Sequence, residues 1–496
     1  MKKNFKIGLI FCGAFLLFAV GLVMSACKQS ETNNLNQYTL NLSYDSKNMT
    51  LSGQEEVCYF NSSENAFDQL YFHLYPNAFR EGAISKVVSS TKSDEAYYNN
   101  VSYGNIQIQA VAFDSGKGDY SIGGEDENIL IIPLQETLYP DESVKLYISF
   151  EVNMPQINHR LGVGENTVNF GNFYPIACVY EEGVGFSQDL YHSNGDPFYS
   201  DCANYMVSIE YDSCFQLASS GTEKQSEQIG DKTTKTISAQ NVRDFCFVLS
   251  EKFEQASQEV EGVAVNYYGY QGDEDLQKNL DIASSALQTF NQLFGQYPYQ
   301  TLSIVKANFL HGGMEFPNIV LISDNLEEID YGYVIVHEIA HQWWYGVVGN
   351  DQYNHAWMDE GLAEYSTLLF YKNNPQYGED FDKMIANAQN SYKLFVKVYS
   401  KVNGKVDLVM DKPVCEFETE PEYVECTYTK GVLLMDAIKG SVGEKTFLKA
   451  LKNYYSQYKF KNATPAEFIS VFNKTCGGDM ESFINSWLYD KIVTGY

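Results

Sequence analysis

Apolar residues in the first half of the chain recur at every second position. Tyr38, Leu40, Leu42 and Tyr44 alternate with polar neighbours, as do Val144, Leu146, Ile148, Phe150 and Val152, and again Tyr205, Val207, Ile209 and Tyr211. Successive strand side chains point to opposite faces. This period therefore predicts strands with one buried face, as in antiparallel sheets. Turn-rich stretches such as Ser115-Gly116-Lys117-Gly118-Asp119 punctuate them. After Phe253 the period changes. Leu276, Leu280, Ala283, Leu287, Phe290 and Phe294 follow at spacings of four and three, which is one helix stripe, and Gly295 is a good C-terminal stop. A short β-like run, Thr301 to Phe309, comes next, and the pattern is then mainly helical to Tyr496. The expected fold class is α+β in two domains, a β-rich one over 38–254 and a mainly helical one over 255–496. A short, weakly marked linker near 251–260 separates them.

The N-terminus follows a different pattern. Lys2, Lys3 and Lys6 precede an apolar run from Ile7 to Met24, and small residues then lead to a cysteine in Met24-Ser25-Ala26-Cys27. Small side chains just before a cut are what a signal peptidase needs. The cysteine resembles a bacterial lipoprotein box, in which residues 1–26 are the signal peptide and Cys27 is lipidated. Residues 27–37 then read as a polar tether. The alternative is an uncleaved anchor helix, because ~18 apolar residues just span a bilayer. Either reading places the body on the extracytoplasmic face of the cell membrane.

Composition narrows the classes. Of 496 residues, 64 are acidic and 34 basic, a formal charge of −30 that repels nucleic acid and argues against it as a partner. A hydrophobic fraction of 44% fills sizeable cores and excludes bulk disorder. Apart from Cys12 and Cys27, the eight remaining cysteines are scattered with no C-x-x-C pair, which argues against a cysteine zinc site. Cys415 and Cys426 are close enough to pair, or they remain thiols.

The segment Val336-His337-Glu338-Ile339-Ala340-His341-Gln342-Trp343-Trp344 carries the chemistry. Residues at i and i+4 share a helix face, so both imidazoles reach one ion. Asp330 is the expected cap of this helix and Gly346 its expected end. Zinc takes two histidine nitrogens and one carboxylate and keeps a position for water. Glu360, nineteen residues after His341, supplies the carboxylate from the next helix. One Zn(2+) per chain is therefore expected, on His337, His341 and Glu360. A polar helix face with two hydrogen-bonded histidines is the bland alternative, and the second motif around Glu360 weighs against it. Glu338 is assigned as general base for water. Asp359 either orients a ligand histidine or caps its helix.

These residues resemble the aminopeptidase N (membrane alanyl aminopeptidase) family of gluzincin zinc metallopeptidases. Trp357-Met358-Asp359-Glu360-Gly361-Leu362-Ala363 is similar to the family's text around its third ligand. His311-Gly312-Gly313-Met314-Glu315 looks like its substrate loop, and Tyr428-Thr429-Lys430-Gly431 like the segment with its catalytic tyrosine. The resemblance implies a saddle-like β domain, a thermolysin-like catalytic domain, and a short form lacking the family's C-terminal helical domain. It also implies that Gly312, Gly313 and Met314 line the substrate and that Glu315 binds its α-ammonium. Tyr428 would stabilise the oxyanion. The implied function is a zinc-dependent aminopeptidase acting on extracellular peptides. A zinc endopeptidase and a catalytically silent surface binding protein are the alternatives. Two departures stand out. Phe316-Pro317 follows Glu315 where the family usually has Asn, and no Q-x-x-E-like frame supplies a second acidic anchor. The region from Asn172 to Phe198 offers Glu181, Glu182 and Asp189 instead.

Overall fold

The computed structural model describes residues 34–89, 91–404 and 407–489. Residues 1–26, read as a signal peptide, and Cys27 lie outside the described residues, as does most of the segment read as a tether. Among the described residues, no helix is long and apolar enough to cross a membrane.

An eight-stranded sheet dominates the first half. Its central strand, Asn36–Asp45, runs antiparallel to Thr50–Phe60 on one side and parallel to Ala203–Asp212 on the other. The sheet is thus mixed where alternation suggested an antiparallel one. A parallel neighbour needs a long crossover, and residues 46–202 supply it. The parallel register sets Tyr38 against Tyr205, Leu40 against Val207 and Leu42 against Ile209. Both strands therefore bury the same phase of their alternation, and the Tyr38 and Tyr205 rings stack at 4.9 Å. Two four-stranded sheets and a two-stranded one, Tyr180–Glu181 with Gly185–Phe186, complete this half among the described residues.

Residues 251–260, read as the linker, contain the edge strand Phe253–Val260 of a five-stranded sheet. Next come Val263–Tyr270, Thr301–Ala307, Ile319–Ser323 and, at the far edge, Gly313–Met314. The helix Leu276–Leu293 packs its predicted stripe into the core, with Leu280, Ala283, Leu287 and Phe290 buried. It stops where Gly295 takes φ +136°, a conformation that side chains resist. Helices then follow almost without interruption to Tyr489.

The motif helix spans Glu328–Ala340 with Glu327 at its N-cap. Asp330 lies inside its first turn and bonds back to the Glu327 carbonyl, so it is not the cap. Nor does Gly346 end the helix. The helix closes at His341, after which Gly346 N–H reaches the His341 carbonyl at 2.8 Å and Val347 N–H the Gln342 carbonyl at 3.1 Å, in wider turns.

Arg243 ties the halves together. Its buried guanidinium donates to the carbonyls of Tyr345 and Lys461 at 2.6 Å and of Ser200 at 2.9 Å. Gly349 has no side chain because a Cβ there would strike this guanidinium. Cys415 is exposed, Cys426 is buried, and both are unpaired thiols.

Candidate active site

The i and i+4 spacing brings the Nε2 atoms of His337 and His341 to 3.1 Å. Glu360, in the first turn of Trp357–Asn373, sets its Oε2 3.3 Å from one and 3.2 Å from the other. Ligand atoms about 2.0–2.1 Å from a tetrahedral zinc ion stand roughly 3.3 Å apart, so this triangle fits that ion. Glu360 Oε2 is buried without a hydrogen-bond donor, as an atom reserved for a cation would be. His337 Nδ1 lies 2.8 Å from Glu364, and His341 Nδ1 lies 3.1 Å from the Trp344 carbonyl. The Trp344 carbonyl favours a proton on His341 Nδ1 and the charge of the adjacent Glu364 favours one on His337 Nδ1, which leaves both Nε2 atoms to bind metal. Burial pulls His341 down, but Glu360 more than offsets this and holds it at about 10. Burial likewise pushes Glu360 up, and the two imidazoles bring it to about 2. Metal binding at this site therefore competes with protons.

Two glycines let the second ligand helix come close to Tyr428. A Cβ on Gly431 would stand 2.6 Å from the Cα of Gly361, and one on Gly361 would stand 3.0 Å from the Cα of Gly431. The helices Trp357–Asn373 and Lys430–Val442 touch backbone to backbone at this point. A π-helical stretch, Glu425–Thr429, precedes the second of them and aims the Tyr428 hydroxyl at Glu360 Oε1, to which it donates. Such bulges are frequent at functional sites because they re-aim one side chain without ending a helix. The Trp357 indole donates to Asp411 at 2.9 Å and fixes the start of the ligand helix.

Glu338 is buried, and its Oε2 has no hydrogen-bond partner. Burial pushes its carboxyl up to about 8, against the pull of both imidazoles. Gly313 lies directly against this carboxylate, where a Cβ would collide with it. Gly312 is less crowded, with Val334 3.7 Å from the position of a Cβ, and Met314 is fully buried. Glu315 is 2% exposed and accepts from Gln352 at 2.6 Å. Gln352 also donates to Asp359 at 2.8 Å, and Asn350 holds the other Asp359 oxygen at 2.7 Å. Asp359 thus fixes the support of Glu315 through Gln352. Phe316, at the position where the resemblance led us to expect Asn, sends its ring into the β half, against a Gly171 with no room for a Cβ.

His337, Glu338, His341, Glu360, Glu315, Gly312, Gly313 and Tyr428 all line one cavity of about 260 Å³. Glu181, Glu182 and Asp189 do not line it. Glu181 accepts from Tyr199 and Glu182 from Asn65, while Asp189 accepts from Ser187. The β half contributes Asp196 and Arg160 instead, which pair at 2.7 Å. Burial and the charge of Glu315 push Asp196 up to about 7, although Arg160 pulls it down. Arg160 is also buried, with its guanidinium carbon 4.8 Å from the Phe198 ring centroid. Sequence reasoning missed Asp196, Arg160, Gln352 and Glu364. Only Glu364 left a signal, since it stands four residues after Glu360 on the same helix face.

Residues 278–487 match the family model described as the peptidase family M1 domain. The chain thus carries a peptidase family M1 domain and is similar to the aminopeptidase N-like gluzincins. "Probable aminopeptidase 2" of Sulfurisphaera tokodaii is 26% identical over 42% of this chain and 28% of that protein. "Aminopeptidase 2" of Candida albicans is 22% identical over 73% of this chain and 43% of that protein. The match thus spans less than half of either relative. The chain's fold is similar to that of the M1 zinc metallopeptidase from Deinococcus radiodurans, with a TM-score of 0.65 at 16% identity, covering 92% of this chain and 94% of that one. The same enzyme has been solved with a Tyr-Ser-Ala substrate in a mutant form, which matches with a TM-score of 0.62 at 15% identity over 92% of this chain and 95% of that one. β-rich sheets followed by a helical domain are common to these structures, and the His337–His341–Glu360 group has the donor set and spacing to hold a zinc ion.

Proposed function

We propose that this protein is a zinc-dependent aminopeptidase that removes N-terminal residues from extracytoplasmic peptides. The observation that carries this reading is the acidic end of the cavity. Glu315 and Asp196 line the same small space, and their mutual repulsion calls for a cation beyond the one that Arg160 supplies. A substrate α-ammonium is such a cation, and charge-assisted hydrogen bonds to it are strong.

With the ammonium on Glu315, the first peptide bond falls at the three ligands, and binding sets the register of cleavage. His337, His341 and Glu360 would hold the zinc ion, which when bound would supply a Lewis acid and lower the pKa of water towards ~7. Glu338 takes a proton from the attacking water and returns it to the leaving amine. Tyr428 turns from Glu360 to donate to the developing oxyanion. Gln352 keeps Glu315 in place, and Glu364 keeps the His337 ring in place. A peptide bound through an internal bond brings no ammonium and leaves both acids uncompensated, which disfavours it.

The lipoprotein-like Cys27 supports a lipid anchor that holds the enzyme on the extracytoplasmic face of the membrane. Cys27→Ser should release the protein from the membrane fraction, and unchanged retention would remove this part of the reading. For the activity itself, zinc-loaded protein is assayed on free-amine peptides and their N-acetylated counterparts. Cleavage of the free-amine set alone, lost with a chelator and restored by zinc, is the expected result. Efficient cleavage of acetylated peptides at internal bonds would favour an endopeptidase.

A further inference from the structure

We propose that a second, larger cavity beside the metal site receives the peptide beyond the cleaved bond and selects peptides with lysine or arginine there. This inference rests on the aminopeptidase reading above and extends it to a substrate class.

The direction of the chain follows from the two flanks of the metal site. On the first flank, Glu315 and Asp359 offer carboxylate oxygens within 4.8 Å of a His341 nitrogen. On the other flank, His337 Nδ1 lies 2.8 Å from Glu364, which also accepts from the Tyr333 hydroxyl. Tyr333 and Glu364 are walls of the metal-site cavity and also of a cavity of about 1030 Å³. A peptide with its ammonium on Glu315 leaves past His337 and enters this space. The two volumes divide the work. About 260 Å³ holds little more than the N-terminal residue, whereas about 1030 Å³ is at the upper end for ligand pockets and holds several residues.

The walls decide what that segment carries. The large cavity is lined by Asp273, Asp275, Glu327, Asp330, Glu364 and Glu379, against two lysines. Both lysines are already matched, Lys306 to Asp273 at 3.2 Å and Lys278 to Asp275 at 3.4 Å. Among the described residues, Glu327, Asp330 and Glu379 have no cationic partner. Tyr331, Tyr371 and Tyr377 add aromatic faces to the same walls. One of these faces already takes an ammonium, since Lys306 Nζ lies 5.6 Å from the Tyr331 ring centroid. Carboxylates on an aromatic floor attract guanidinium and ammonium groups and repel acidic side chains.

The test uses the zinc-loaded enzyme and three substrates: a single-residue aminoacyl anilide and two free-amine octapeptides that differ only in carrying Lys or Glu at positions three to six. The Lys peptide should be favoured over the Glu peptide at least tenfold in kcat/KM at low salt, mainly through KM. Glu327→Lys with Asp330→Lys and Glu379→Lys should cut the ratio of Lys-peptide to anilide turnover at least tenfold. In the Glu338→Gln protein, fluorescence anisotropy reads binding of the Lys peptide without cleavage, and this binding should weaken as salt rises. Equal kcat/KM for the two peptides, or an unchanged ratio in the triple variant, would overturn the proposal. If the anilide is not cleaved at all, the aminopeptidase reading fails, while anisotropy still decides whether the cavity binds cationic peptide.

Discussion

The Glu315 flank of the metal site is closed and the Glu364 flank is open. On the first, the buried Glu315 and the half-buried Asp196 of the β half border a small space, and Glu315 is braced by a glutamine that a second carboxylate braces in turn. On the second, Tyr333 and Glu364 stand between the ligands and a cavity about four times larger, with exposed acids such as Glu327 and Asp330 in its walls. A buried, fixed charge reads one feature of the substrate sharply, because low dielectric and rigid geometry magnify any mismatch. Exposed charges on a wide wall read composition loosely and are screened by salt. On the proposed reading, the site combines a strict start with a permissive continuation.

Changes can break this contrast, beginning with the chemistry the two flanks share. Glu338→Gln should retain zinc and lower kcat by ~10²–10⁴ on every substrate, short or long. Metal analysis together with steady-state kinetics checks it, and turnover near wild type would remove Glu338 from the mechanism. Tyr428→Phe should lower kcat by ~10²–10³ with KM little changed, as for loss of an oxyanion donor. Because Tyr428 donates to Glu360 in this structure, zinc affinity is measured alongside. A loss of zinc with unchanged kcat in the loaded protein would make it a positioning residue for the ligand instead.

The closed flank alone is addressed by Glu315→Ala. A charge-assisted bond of roughly 1.5–3 kcal/mol predicts a fall of ~10–150-fold in kcat/KM on free-amine peptides. The variant should also discriminate far less against acetylated peptides, and retained discrimination would place the ammonium elsewhere. Smaller in free energy is Gly431→Ala, which pushes a Cβ to 2.6 Å from the Gly361 backbone. It should cost about 1–3 kcal/mol in thermal denaturation and slow turnover by parting Glu360 from Tyr428. Gly440→Ala in the same helix meets nothing within 4 Å and should instead stabilise by about 0.5–1 kcal/mol. Equal effects of the two substitutions would show that the backbone contact is not what matters.

Much of the fold is legible from period alone. Alternation marked the strands around Tyr38, Phe150 and Val207, and the stripe from Leu280 to Phe294 marked a helix with its stop. Helix ends were harder to place. Asp330 has a good capping side chain, but the chain enters the helix one turn earlier and uses the Asp330 N–H internally. The linker near 251–260 was mistaken because a polar, two-sided edge strand carries almost no hydrophobic signal. The parallel pairing of Asn36–Asp45 with Ala203–Asp212 was equally hidden, since either direction buries the same alternate residues.

The sequence by itself determined the metal ligands. A helix repeats every ~3.6 residues, so His337 and His341 share a face wherever that helix packs, and local geometry suffices. Only the tertiary structure decided which of the 64 acidic residues surround them. Asp196 and Arg160 come from loops more than a hundred residues away, and Gln352 has no motif of its own. Their roles depend on where the packing of the two halves leaves a buried charge uncompensated. That is a property of desolvation and distance, which no spacing along the chain encodes.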